Sequence, residues 1–296
     1  MSDVFLTGSN GFLGKYFISE FHKNFSIKSY NKRTGEYINA NILLNFAGKA
    51  HDLKGVTNPE EYYKVNTEFS NKLFDFFLIS DSKIFITISS VKAVSDKLDD
   101  ELTENHIPDP VTHYGKSKLL AEQYILSKNI PVDKRVYILR PCMIHGPGNK
   151  GNLNLLYKIV KKGFPWPLGD FENKRSFCSI DNLFFIIKEI IQNDKIPSGV
   201  YNVADDKALS TNELINLIAK SQGTKTYIMY IPRFFIKFLS ILGDIFKLPL
   251  NTERLDKLTE SYIVSNRKIK QAIKKPLPIS SIDGLIKTFN SFNSAK

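Results

Sequence analysis

A run of apolar residues at positions 4–7, suited to a strand, leads straight into Gly8-Ser9-Asn10-Gly11-Phe12-Leu13-Gly14 and then into a helical pattern through Phe17, Ile18 and Phe21. Strand, glycine turn and helix in that order leave the backbone few choices. Gly8 permits a tight turn, Gly11 lets the backbone approach a pyrophosphate, and Gly14 lets the helix pack closely on the strand. The amino end of the helix then faces the anion with unpaired N–H groups. The pattern predicts an α/β chain that opens with a nucleotide-binding unit.

Further strand-like runs at 42–46, 84–89 and 135–139 alternate with helical patterns at 12–22, 60–79 and 114–128. This alternation predicts a Rossmann-type doubly wound parallel sheet wrapped by helices, with ligands bound beyond the carboxyl ends of the strands. At 296 residues, 42% hydrophobic and 24% charged, the chain is long enough for one large or two coupled domains. A dinucleotide-binding domain is expected over 1–150. Residues 151–296 are expected to form mostly a smaller substrate-binding domain, with some segments returning to the sheet.

Tyr114 and Lys118 stand four apart in His113-Tyr114-Gly115-Lys116-Ser117-Lys118, one helical turn from each other on one face. An ammonium near a phenol favours the phenolate, so the reference pKa of about 10 is expected to fall towards working pH, where proton transfer is most efficient. Ser89-Ser90, at the end of the strand-like run upstream, offers a hydroxyl to a reacting oxygen.

With these residues in place, the chain resembles the extended short-chain dehydrogenase/reductase family, which includes sugar-nucleotide epimerases, dehydratases and ketoreductases. Thr7-Gly8-Ser9-Asn10-Gly11-Phe12-Leu13-Gly14 is similar to the family's cofactor turn, and Phe46-Ala47-Gly48-Lys49-Ala50-His51 to the segment that lines the cofactor. Asn66 matches a helix Asn that supports the active site. The resemblance implies a catalytic triad of Ser90, Tyr114 and Lys118. In that chemistry Tyr114 exchanges a proton with a sugar hydroxyl or ketone, Lys118 holds the nicotinamide ribose, and Ser90 hydrogen-bonds the reacting oxygen.

Three departures bear on which reaction is run. Dehydratases of the family carry an Asp-Glu pair beside the serine, whereas this chain has Val91-Lys92, with Lys92 placed at the substrate. After the second strand, at 27–30, an NAD-preferring site has an acidic residue for the ribose hydroxyls. Here Asn31-Lys32-Arg33 stands there, two cations suited to a 2′-phosphate or, alternatively, an ordinary basic turn. NADP is therefore the expected cofactor, with NAD as the alternative. Only eight residues separate Arg33 from the next strand, too few for the further strand and helix that the family places at the adenine. The expected activity is reduction of a 4-keto sugar on a nucleotide in polysaccharide synthesis. The alternatives are a nucleotide-sugar 4-epimerase and a non-catalytic nucleotide-binding or membrane-docking protein.

Beyond Arg140-Pro141 the chain turns rich in Gly, Pro and Asn, in His145-Gly146-Pro147-Gly148-Asn149-Lys150-Gly151-Asn152. By resemblance, Asn154 contacts a nucleotide diphosphate and Arg175 clamps it. Pro197-Ser198-Gly199 predicts a turn before a short strand, and a helix is expected to start after Ser210 with Thr211 and Glu213 in its first turn.

The formal charge is +11, and from Lys225 onward 13 basic residues face 5 acidic ones, so +8 lies in the last quarter. The segment 231–247 is apolar with interspersed cations. It is too interrupted by charge to span a bilayer, and it fits either a helix lying on an anionic membrane or a core-facing helix with solvated lysines. No nucleic-acid recognition motif accompanies the charge. Cys142 and Cys178 lack metal-ligand spacing and read as reduced core thiols, His51, His106, His113 and His145 form no metal set, and no metal is expected. A strand entered within three residues of Met1 leads to the expectation of a cytoplasmic protein. Members of the family pair through the helix that bears the tyrosine, which here implies a homodimer.

Overall fold

The structure is a computed structural model that describes residues 2–49, 58–149, 151–247 and 251–294. Ala50 and His51 of the cofactor-lining segment and Lys150 of the Gly-Asn loop lie outside the described residues. Six strands form one parallel sheet: β1 (Ser2–Thr7), β2 (Phe25–Ser29), β3 (Ile42–Asn45), β4 (Ile84–Ile88), β5 (Arg135–Pro141) and β8 (Gly199–Val203). Their order across the sheet is β2-β1-β3-β4-β5-β8. The chain runs outward from β1 to β2 and then crosses back to β3, so the switch point, where open sheets bind ligands, lies between β1 and β3.

Every residue of β3 and β4 is buried, as expected of strands covered on both faces. Alternate side chains feed two cores. Val4, Leu6, Ile42, Leu44 and Ile86 pack with α1 (Phe12–Phe21) and α6 (Ile180–Gln192). Phe5, Leu43, Phe85 and Ile138 pack on the opposite side with α3 (Phe69–Ile79) and α4 (His113–Leu126). The carboxyl ends are tied by a buried polar row across three strands. Thr7 Oγ1 donates to Asn45 Oδ1 at 2.7 Å, and Asn45 Nδ2 donates to Thr87 Oγ1 at 3.2 Å and to Ser70 Oγ at 3.0 Å.

A third cluster belongs to the second half of the chain. It joins Leu153, Tyr157 and Val160 of α5 (Asn152–Lys161) to Leu214 and Ile218 of α7 (Thr211–Ser221) and to Leu285 and Phe289 of α11 (Ser281–Ser294). From the same half of the chain, β8 completes the main sheet, and α6 and α10 (Arg267–Ile273) pack in its core. The short strands β6 (Met143–His145) and β7 (Phe177–Ser179) pair outside the main sheet. Buried there, His145 bonds Thr288 Oγ1 at 2.9 Å and Asp205 Oδ2 at 3.3 Å, and Asp205 also accepts Asn182 Nδ2 at 2.7 Å. Helix α7 starts after Ser210, as the sequence predicts, and Ser210 and Glu213 close a capping box on it.

The short stretch after Arg33 forms a turn and then irregular chain, which leaves β2 as the sheet edge. Tyr37 stacks on Tyr30 at 5.8 Å and on Phe76 at 5.2 Å, so aromatic side chains close the hydrophobic layer where no further strand and helix are present.

Two glycines test this packing. Gly8 has φ +71°, and a Cβ there would lie 2.5 Å from the carbonyl carbon and oxygen of Phe46, whereas Gly35, at φ +68°, has open space around it. Gly35→Ala is expected to cost about 1–2 kcal/mol for left-handed backbone alone, and Gly8→Ala at least ~2 kcal/mol more, because the added atom strikes backbone. Urea denaturation reads both; equal losses would mean that Gly8 is not held against Phe46.

Candidate active site

Local capping places the helix that carries Tyr114. The Asp96 carboxylate accepts the N–H groups of Val111 and Thr112 at 2.9 and 3.0 Å, and the Thr112 hydroxyl accepts that of Gly115 at 3.2 Å as the N-cap of α4. A Cβ on Gly115 would stand 2.3 Å from the Lys92 carbonyl oxygen and 2.8 Å from Pro110 Cβ. Glycine therefore lets the first turn of α4 rest on the 3₁₀ turn Val91–Ala93, which Ser90 caps by accepting Lys92 N–H at 3.2 Å. The same contact brings Tyr114 into hydrogen bonding with Ser90.

Lys118, one turn further on, is 7% exposed and donates Nζ–H to the Ile88 carbonyl at 2.9 Å. Burial pulls its pKa down to about 8, against the opposing field of Glu122. Glu122 is itself buried. It accepts Arg140 Nε at 3.0 and 3.1 Å and is hydrogen-bonded by Ser89 Oγ.

The phenol departs from what the Tyr–Lys spacing predicts. Burial pushes Tyr114 up; a hydrogen bond from Ser90 brings it part of the way back, and Tyr62, edge-on at 6.2 Å, adds to the rise. The Lys118 ammonium is spent on the Ile88 carbonyl and on Glu122, and the expected acidification of the phenol by Lys118 is replaced by one from Ser90.

The glycine turn fits a dinucleotide. Asn10 and Gly11 are exposed at its tip, Ser9 is half-buried, and a Cβ on Gly14 would fall 2.3 Å from Gly8 O. Helix α1 follows Gly11 with no side-chain cap and no acidic residue in its first turn, which leaves the N–H groups of residues 12–14 to an anion. The side chains of Phe12 and Leu13 pack into the core, and the Phe46 ring lies edge-on to Phe17 and Phe184 at 5.8 Å, so these residues offer backbone to a ligand. Gly48 links this turn to the lysine: a Cβ there would be 3.1 Å from Lys118 Nζ and 3.4 Å from Asn66 Oδ1.

Asn66 is buried in a π-helical turn, Tyr63–Glu68, which re-aims it inward. It accepts Lys49 N–H at 2.8 Å and donates to Lys49 O at 3.2 Å and Ser117 Oγ at 3.0 Å. Lys32 and Arg33 stand exposed on the turn after β2, where Asn31 Oδ1 accepts Arg33 N–H at 2.9 Å.

On the substrate side the structure brings Lys92 and Arg175 together. Lys92 Nζ lies 4.1 Å over the Tyr262 ring and donates to Asp96 O at 2.7 Å, while Arg175 Nε donates to Glu260 O at 3.1 Å. Burial depresses both cations, and the charge of Arg175 depresses Lys92 further. Asn154 is half-buried on α5, and no contact among the described residues joins it to this pair. Cys142 and Cys178 are unpaired and buried, and burial pushes both thiols up. A surface hollow of about 380 Å³ between α1 and the edge strand β2, lined by Ile18, Phe25 and Ile27, includes none of these groups.

Glu122, Arg140, Tyr62, Glu260 and Tyr262 were not singled out in the sequence. The only local signal was the four-residue step from Lys118 to Glu122, which repeats the step from Tyr114 to Lys118.

On this sheet, with these groups at its carboxyl ends, the molecule is an extended short-chain dehydrogenase/reductase. Within that class the chain belongs to the NAD dependent epimerase/dehydratase family, whose sequence profile matches residues 26–204. It is 28% identical to a UDP-glucose 4-epimerase of Vibrio cholerae, over 99% of this chain and 96% of the relative. It is 27% identical to the N-acetyl-alpha-D-glucosaminyl-diphospho-ditrans,octacis-undecaprenol 4-epimerase of Escherichia coli O157:H7, over 78% of this chain and 75% of the relative. Among solved structures, MoeE5 in complex with UDP-glucose and NAD overlays with a TM-score of 0.76 at 18% identity, over 99% of each chain, a likeness of fold. The chain is thus an enzyme of a nicotinamide-dependent, nucleotide-sugar-modifying family.

The buried lysine sets a pH dependence. Below pH 8 the folded protein holds Lys118 charged where burial disfavours charge, at a cost of about 3 kcal/mol. Between pH 8 and 10.5 the folded protein gives up a proton that the unfolded chain keeps, so stability rises with pH as this cost is removed. The unfolding free energy of wild type relative to Lys118→Met is expected to rise by about 3 kcal/mol across that window; a constant difference would contradict the burial of this ammonium.

Proposed function

We propose that this protein is a 4-epimerase of a sugar carried on a diphosphate, with Tyr114 as the proton-transfer group. The observation that carries the reading is the Tyr114 phenol beside the Ser90 hydroxyl, one helical turn from a buried lysine that lies against Gly48. The extended match to an epimerase supports epimerisation over reduction. Val91-Lys92, in place of an acid pair beside Ser90, leaves no acid–base group for loss of water.

The glycine turn and the α1 amides would hold the pyrophosphate of the dinucleotide, and Lys118 its nicotinamide ribose. When bound, the nicotinamide supplies a reversible hydride acceptor. Tyr114 takes the proton of the sugar 4-hydroxyl as that carbon becomes a ketone and returns it once the sugar has turned its other face. The Ser90 hydroxyl donates to the phenol oxygen and favours the phenolate that must form, while burial keeps the protonated form available for the return step. Lys92 and Arg175 would clamp the diphosphate. A diphosphate is common to the substrates in the names of both relatives, nucleotide-linked in one and polyprenol-linked in the other. Placement in the cytoplasm and pairing of two copies through α4 belong to the same reading.

Incubation of the purified protein with UDP-glucose and UDP-N-acetylglucosamine, followed by proton NMR of the sugar, is expected to show the 4-epimer without net change in cofactor. Tyr114→Phe is expected to lose on the order of 100-fold or more in kcat. A variant that retains full rate would remove Tyr114 from the chemistry.

A specific observation favours the second reading, an NADPH-dependent 4-keto-sugar reductase. Lys32 and Arg33 stand side by side and exposed where a 2′-phosphate would lie. The double variant Lys32→Ala with Arg33→Ala is expected to lower the NADPH-to-NADH affinity ratio about ten-fold if these cations hold that phosphate. Stoichiometric NADPH loss with a 4-keto substrate would establish the reductase and defeat the epimerase.

A further inference from the structure

Helix α8 (Arg233–Phe246) exposes its apolar side. Its buried residues are Ile236, Ser240 and Gly243, and Ile236 is the side chain that reaches the third cluster. On the opposite side Phe234, Phe238, Ile241 and Ile245 follow the i, i+4, i+7, i+11 spacing of a single stripe and are 75, 57, 54 and 67% exposed. A core-facing helix with solvated lysines, one of the two readings open from sequence, accounts for three residues and leaves this stripe uncovered.

The charges around the stripe indicate what covers it. Asp244, the acidic residue of α8, is exposed and engaged by its own chain: its carboxylate accepts the N–H of Thr252 at 3.2 Å and bonds the Thr252 hydroxyl at the start of α9 (Thr252–Thr259). Arg233 is ion-paired with Asp170 at 3.6 Å, while Lys237 and Lys247 are exposed. Three cations, Arg233, Lys237 and Lys247, thus stand against the one carboxylate of Asp244, a net positive charge over 233–247 in a C-terminal quarter that carries +8. Just before α8, Tyr227 and Tyr230 are 76 and 70% exposed, the residue type enriched at the headgroup level of bilayers.

We propose that α8 docks this protein on an anionic lipid bilayer, lying in the plane of the surface with its phenylalanine–isoleucine stripe at the boundary between headgroups and acyl chains. Its 14 residues span about 21 Å, and among the described residues no helix is long and apolar enough to cross a membrane. The main competing occupant is a second copy of the chain. A face roughly 21 Å by 10 Å offers a footprint of about 200 Å², and even twice that falls short of the ~800 Å² per partner of a stable interface. Cations beside an apolar stripe suit lipid phosphates, whereas two such helices would bring their lysines together. Helix α9 packs on α8 and is followed at once by Glu260, whose carbonyl accepts from Arg175, so docking sets the substrate cations one element away from the bilayer. Access to a sugar whose diphosphate is esterified to a membrane lipid then follows, and that consequence rests on the function proposed above; docking itself does not.

Co-sedimentation of the full chain with vesicles tests the proposal, using phosphatidylcholine alone or mixed with phosphatidylglycerol. Binding to the anionic vesicles, weakened by salt, is expected for wild type, with at least about ten-fold weaker binding for Phe238→Glu combined with Ile241→Glu. Turnover of soluble UDP-glucose is expected to be the same for both proteins, which separates failure of docking from failure of the epimerase reading. The Phe238→Trp variant reports on the stripe directly, because the native Trp166 is buried. Its emission should shift to the blue on anionic vesicles and be quenched by brominated lipid. No binding by wild type, or binding without change at position 238, would overturn the proposal. So would a double-glutamate variant that sediments as a smaller species than wild type in the absence of lipid, because that result assigns the stripe to a second copy.

Discussion

The buried ammonium of Lys118 is the constraint around which the site is arranged. Removing such an ion from water costs several kcal/mol, and the surroundings must return enough of this for the fold to survive. They do so from three directions. The Ile88 carbonyl accepts its proton at the end of β4, the Glu122 carboxylate supplies opposite charge, and Gly48 gives it space that a side chain would fill. Glu122 is equally buried and depends in turn on Arg140 and Ser89. One titratable group thus commits β3, β4, β5 and α4 to a single arrangement.

The register of that arrangement is simple. Tyr114, Lys118 and Glu122 follow one another at helical turns on one face of α4, and they engage Ser90, Ile88 and Ser89, three consecutive residues where β4 ends. The two turns of helix from Tyr114 to Glu122 advance about 12 Å while three consecutive strand residues cover about 7 Å, so side-chain reach closes the difference. The 3₁₀ turn that Ser90 caps follows directly. Gly115 then sets how closely helix and turn approach, and Thr112 and Asp96 set where the helix begins. The approach of Tyr114 to Ser90 is an outcome of backbone packing before it is a property of the tyrosine.

Much of this was legible in the sequence where the signal is local. The glycine turn, the apolar runs at 42–46 and 84–89, the helix start after Ser210 and the Tyr114–Lys118 step each lie within a few residues, so periodicity and turn chemistry display them. Pairings over long separations have no such trace. Glu122 and Arg140 read as ordinary surface charges until α4 and β5 are adjacent, and Tyr262 reaches the Ser95 carbonyl at 2.7 Å from 167 residues away. The direction of the Tyr114 pKa was misjudged for the same reason. The spacing shows that an ammonium lies one turn away, but not that burial outweighs it or that Ile88 and Glu122 already occupy it. The exposure of α8 was likewise undetermined, because an amphipathic pattern gives the apolar side of a helix without giving what lies against it.

The cation pair on the substrate side bears on what the enzyme must bind. Lys92 and Arg175 are each driven towards their neutral forms by burial, and Arg175 disfavours the charge on Lys92 as well. The protein answers with backbone carbonyls at Asp96 and Glu260 and with the face of Tyr262. The Asp96 and Glu260 carboxylates support the charge of Lys92, and Glu260 that of Arg175, while the Glu260 carboxylate is itself shared with Lys97 at 3.7 Å. Such a pair gains most from a ligand with two or more negative charges and fixed oxygen geometry, which a diphosphate has and a neutral sugar lacks. If Lys92 and Arg175 bind a diphosphate as proposed, the group on its far side is left weakly specified. That is the property an enzyme would need if its sugar arrived on a membrane lipid as readily as on a nucleotide.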